Sequence, residues 1–124
     1  MKIAITAKGN SLSSEMDERF GRCGYFIVVD TDNPGDFKAI KNDAADAGGG
    51  AGVRAAQTVI DAGAQAVVSG NFGPKAFDAL SAADMKLYAV SASTVQEALD
   101  IFRENKARPL ESATAAAHAG LKRI

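Results

Sequence analysis

The chain has 124 residues, 47% of them hydrophobic, and its 14 Lys and Arg stand against 15 Asp and Glu for a net charge of −1. That length suits one domain burying about two-thirds of its unfolded surface. The near-neutral balance excludes the broad basic field that nucleic acid or acidic lipid requires, and the apolar runs are strand-length, too short to span a bilayer.

Lys2-Ile3-Ala4-Ile5-Thr6-Ala7 reads as a first strand, rich in β-branched residues. It is too short for the apolar segment of a signal peptide, and Lys8 interrupts it, so a cytoplasmic protein is expected. A polar, acidic loop follows from Ser11 to Arg19, then Phe20-Gly21-Arg22-Cys23-Gly24. Tyr25 to Asp30 is the strongest strand signal. Asn33-Pro34-Gly35 predicts a turn, and Phe37 to Lys41 an edge strand that completes a hairpin.

Asp46-Ala47-Gly48-Gly49-Gly50-Ala51-Gly52 then opens into a helical pattern from Val53 to Ala62, with Val53, Ala56 and Ile60 marking one face, Val59 beside it, and Gly63 a stop. Ordered glycines are entropically costly. A glycine-rich turn before a helix offers unpaired N–H groups and the positive end of the helix dipole to an anion. Gln65 to Ser69 is a buried-type strand, Gly70-Asn71-Phe72-Gly73-Pro74 a second glycine-bearing loop, and Phe77 and Leu80 the inward face of the next helix. Pro74 is placed as its first residue. Lys86 to Val90 is the last strand. Thr94-Val95-Gln96-Glu97 is a capping box for a helix whose apolar face is Leu99 and Phe102. From Ala107 to Ile124 the pattern weakens to a loosely held or short helical tail that contains His118, so the domain is placed at residues 1–106.

A hairpin followed by alternating helix and strand predicts an α/β fold, a mixed sheet with helices on both faces. Ligands of open α/β sheets sit outside the carboxyl ends of the strands. The candidate loops there are Lys8 to Gly24, the glycine run, Gly70 to Pro74 and Ser91 to Thr94.

Catalytic patterns are missing. The first strand has no carboxylate for a two-metal nuclease site. The glycine run lacks the lysine and hydroxyl residue of a P-loop, and the one histidine is poorly placed for a triad. Cys23 has no disulfide partner; it is a buried small hydrophobe or a soft metal ligand. Arg19 and Arg22 either pair with Glu15, Asp17 and Glu18 or hold an anionic group. The chain reads as a binder, not an enzyme.

Met1 to Ile5, Glu18-Arg19-Phe20-Gly21-Arg22-Cys23-Gly24-Tyr25-Phe26, Gly48 to Gly52, Gly70 to Ala76 and Lys86 to Val90 stand together in one order. In that set the chain resembles the dinitrogenase iron–molybdenum cofactor biosynthesis family, the nitrogenase accessory factor type, related to the molybdenum–copper orange protein. The resemblance implies a three-layer α/β/α fold with a five-stranded mixed sheet of ribonuclease H-like type. It implies non-enzymatic binding, storage or delivery of an anionic metal–sulfur cluster, Fe–Mo–S or Mo–Cu–S, or its precursor. The cofactor-binding residues expected are Arg19, Phe20, Gly21, Arg22, Cys23, Gly48, Gly49, Gly50, Asn71, Phe72 and Gly73, with Cys23 the metal ligand. Many members carry a histidine where this chain has Arg19, so charge replaces imidazole ligation here. Expected partners are proteins that donate or accept the cluster, with no nucleic acid and no membrane, acting as a monomer or weak homodimer. The alternative is a metal-free small-ligand or protein-interaction module with a regulatory role.

Overall fold

The computed structural model describes residues 1–45 and 49–113. The elements run β1 (Lys2–Ala7), β2 (Tyr25–Asp30), β3 (Asn33–Lys41), α1 (Ala51–Asp61), β4 (Ala66–Ser69), α2 (Pro74–Ala82), β5 (Lys86–Ala89) and α3 (Val95–Arg103). The five strands form one sheet in the order β3-β2-β1-β4-β5. β1, β4 and β5 are parallel, and β2 is antiparallel to both β1 and β3. This is the mixed sheet the sequence predicts.

Strand alternation divides the core in two. Ala4, Phe26, Val28, Val67 and Leu87 pack with Ala55, Val59, Ala76 and Leu80 of α1 and α2. Ile3, Ile5, Ile27, Val29 and Val68 pack with Val95, Ala98 and Leu99 of α3. Both faces of the central strands are therefore covered, which is why β1 and β4 are almost wholly apolar.

Two expectations shift. The hairpin turns at Thr31 and Asp32 rather than at Pro34, and β3 begins at Asn33. Pro34, Gly35 and Asp36 fall between the pairs Asp30–Asn33 and Val29–Phe37, in a bulge. An edge strand accommodates a proline there because it need not donate to a neighbour. α1 buries Ala51, Ala55, Ala56 and Val59 and packs Ile60 against the core, but Val53 is 45% exposed. Val53 lies about 200° around the helix from Ala51, so it falls on the side away from the buried stripe.

The helix ends follow their local chemistry. Gly63, at φ +82°, donates to the Ile60 carbonyl while the Ala64 N–H reaches Val59, a Schellman closure of α1. The Glu97 N–H donates to the Thr94 hydroxyl at 3.1 Å, as the capping box requires. The Glu97 carboxylate reaches back one residue further than expected and accepts from the Ser93 N–H at 2.6 Å.

Residues following α3 also contribute. The Leu110 N–H donates to the Leu87 carbonyl at 2.7 Å, so the chain covers the outer edge of β5. Residues 114–124, with His118 and most of the alanine-rich segment expected to form a short helix, lie outside the described residues.

Ala7 pairs with Tyr25, and Tyr25 with Lys41. The segments 8–24, 42–45, 70–73 and 90–94 therefore all leave one edge of the sheet.

Candidate functional site

The 8–24 loop is laid down on that edge by backbone hydrogen bonds. The Lys8 N–H donates to Glu15, Asp17 to Thr6, Met16 to Ser93 and Phe20 to Asn71, and the Asn71 N–H donates to Glu18 at 2.7 Å. Two buried hydroxyls secure the centre. Thr6 Oγ1 donates to the Asp17 carbonyl and lies 2.9 Å from Ser69 Oγ, which reaches the Glu18 carbonyl. Sequence reasoning missed Thr6 and Ser69. Their signal was a hydroxyl near the carboxyl end of otherwise apolar strands.

Asn42 was missed as well. It is buried, its Nδ2 donates to the carbonyls of Gly21 at 3.1 Å and Cys23 at 2.9 Å, and its Oδ1 accepts from Ala44 at 3.1 Å. Arg22 Nη1 donates to the Ala45 carbonyl at 3.0 Å, so both side chains tie the 20–24 segment to the start of the glycine loop. Gly48 lies outside the described residues; Gly49 and Gly50 are exposed.

The two helix starts meet at this point. A Cβ on Gly21 would stand 3.1 Å from Gly52 N, and one on Gly52 would stand 3.2 Å from the Ala76 Cβ. Gly50, at φ +74°, precedes α1, and Gly73 precedes α2. Neither helix has a side-chain cap or an acidic residue in its first turn. Their leading N–H groups and positive dipole ends are therefore not satisfied by capping side chains.

Three sequence candidates do not lie on the surface. Phe20, Phe72 and Cys23 are 1%, 0% and 0% exposed. Phe20 has ring centroids 5.5 Å from both Phe26 and Phe72, an apolar floor beneath the loops. The Cys23 thiol donates to the Phe20 carbonyl at 3.3 Å. Burial, and next the negative charge of Asp17, push its pKa up to about 12. The structure thus places Cys23 in the core, where burial keeps the thiol neutral. Among the described residues no three His, Cys, Asp or Glu side chains are grouped to hold a metal ion.

A pH dependence follows. The folded thiol holds its proton where the unfolded one has lost it, so stability is full below about pH 9 and declines as pH rises toward 12, by about 1.4 kcal/mol per pH unit. Cys23→Ala should flatten this decline in urea titrations across that range. An unchanged slope would refute the buried neutral thiol.

Charge on the rim is mixed. Arg19 pairs with the buried Asp17 carboxylate, which raises the arginine pKa, chiefly through their hydrogen bonds. Lys8 stands 3.2 Å from Glu15. α2 leaves β4 toward one face of the sheet and α3 leaves β5 toward the other, and such a divergence opens a crevice. The crevice is a cleft of about 800 Å³ lined by Glu15, Glu18, Asn71, Ser91, Ser93 and Thr94. The sequence candidates Asn71 and Gly73 stand at its edge and at the head of α2, both half-buried.

Residues 1–105 match the family profile described as dinitrogenase iron-molybdenum cofactor. An uncharacterized protein of Methanocaldococcus jannaschii is 31% identical over 114 residues, covering 90% of this chain and 92% of that protein. The apo form of the orange protein from Desulfovibrio gigas superposes with a TM-score of 0.88 at 34% identity, over 92% of this chain and 96% of the other. A Thermotoga protein of the DUF35 family gives a TM-score of 0.80 at 36% identity, over 92% and 97%.

Proposed function

The chain belongs to the dinitrogenase iron–molybdenum cofactor family, and from that premise we propose that it binds an anionic metal–sulfur cluster or its precursor without catalysing a reaction. The observation that carries this reading is the meeting of two helix N-termini, neither capped by a side chain, at Gly21 and Gly52. Helix starts present N–H donors and positive potential, which suit a polyanion. Residues 19–22, Gly49, Gly50, Asn71 and Gly73 frame the place, with Gly48 between them in the chain. The N–H groups hold the guest by charge and hydrogen bonds, and the guanidinium groups add directed hydrogen bonds. Phe20, Phe72 and Cys23 support the floor. Iron–molybdenum and molybdenum–copper sulfides are the candidate cargo, exchanged in the cytoplasm with a donor or acceptor protein.

Anaerobic reconstitution with molybdate, sulfide and either copper or iron, followed by desalting, should leave metal and visible absorption on the protein. Arg22→Ala should reduce the retained metal several-fold, and Cys23→Ala should leave it unchanged. A protein that emerges colourless from every combination argues against the reading.

The acid-lined cleft favours a second reading. Glu15 and Glu18 oppose a polyanion there, so a neutral or cationic small ligand, or a partner's basic side chain, suits that crevice better. A metal-free regulatory module would show binding at the cleft with no retained metal.

A further inference from the structure

The Asp17 carboxylate is nearly enclosed, its side chain 4% exposed, while that of its partner Arg19 is 64% exposed. Oδ1 accepts from the Arg19 backbone N–H at 3.0 Å and from Nε at 3.2 Å, and Oδ2 accepts from Nη2 at 3.3 Å. The pair is made side-on. A guanidinium has five N–H groups in a rigid fork, and this pairing takes two of them along the Nε edge. The other three lie on the Nη1 and Nη2 end. Beside Arg19 is an open cavity of about 340 Å³ shared with Lys8, Glu18 and Asn71.

We propose that Asp17 is a positioning residue: it clamps Arg19 side-on so that the end-on fork is held for two terminal oxygen or sulfur atoms on one metal centre of an anionic guest. The inference rests on the anionic-cluster reading above. Asp17 largely cancels the arginine's charge, and Glu18 in the same cavity works against an anion. Net attraction is therefore not what Arg19 supplies. It supplies direction, because a fork fixed in advance loses little freedom on binding and matches two atoms of one centre at once. A lysine, with a point charge on a flexible stem, keeps the charge and loses the fork.

Tetrathiomolybdate is the probe, added to the full chain in anaerobic equilibrium dialysis and followed by its visible absorption. Asp17→Asn keeps an oxygen for the Arg19 backbone N–H and removes the anionic clamp. It should weaken binding about tenfold, and Arg19→Lys should do the same. A second readout needs no ligand: the Arg19 Nε–H proton should exchange slowly in the ¹H–¹⁵N spectrum of the wild-type protein and rapidly in Asp17→Asn. Wild-type affinity in either variant overturns the proposal. If the wild-type protein takes up no tetrathiomolybdate, the anion reading of the rim fails. The clamp is then judged by the Nε–H signal, and its persistence in Asp17→Asn overturns it. Should Asp17→Asn fail to fold, Arg19→Lys decides.

Discussion

Phe20→Ala should destabilise the protein by about 3–5 kcal/mol, the usual loss for a large aromatic truncated in a close-packed core. Phe20 is 1% exposed, and its ring packs at a tilt against both Phe26 and Phe72. It also lies where the 8–24 loop descends into the core, so the cavity would open beneath the rim itself. A domain of this size has only about 5–15 kcal/mol in total, so urea unfolding should show a midpoint lowered by a large fraction at similar slope. The Cys23 thiol, which donates to the Phe20 carbonyl, should become reactive toward a thiol reagent at neutral pH. A loss under about 1 kcal/mol, below the range for such truncations, would mean that Phe20 is not the floor described.

Gly70→Ala should act on the site as well as on stability. A Cβ there would stand 2.9 Å from both Cα and Cβ of Glu18 and 3.0 Å from its carbonyl oxygen. Backbone must move, and the contact that yields is the 2.7 Å hydrogen bond from the Asn71 N–H to Glu18. Overpacking of this kind costs about 1–3 kcal/mol. It would also part the 15–20 segment from the head of α2, so retention of a reconstituted cluster should fall along with the unfolding midpoint. Gly35→Ala is the matched control, since nothing lies within 4 Å of its added Cβ, and such surface changes usually stay within about 0.5 kcal/mol. Equal behaviour of the two variants would dismiss the close approach at Gly70.

The two variants differ in what the sequence reveals about them. Phe20 was singled out by its place in the Phe-Gly segment, yet nothing local says that it packs against Phe26 and Phe72. Gly70 was legible as part of a glycine-bearing loop, yet nothing local says that Glu18 would be the neighbour. Arg19 and Asp17 illustrate the same limit. Their pairing was one of two readings open to a mixed-charge loop, and the choice depends on Asp17 being buried, its carbonyl held by Thr6, which in turn meets Ser69; these residues lie 11 and 52 positions away along the chain.

Local patterns determined the order of elements, the mixed sheet, the start of α2 at Pro74, the stop of α1 at Gly63 and the cap at Thr94. They did so because alternation, helical period and end chemistry act between residues a few positions apart. The tertiary structure alone decided that Cys23 faces the core, that Val53 faces outward and that Asn42 ties two loops together. It also brought the heads of α1 and α2 to Gly21. Burial and close approach are set by segments far apart in sequence, and their free energies exist only once the sheet has brought those segments to one edge.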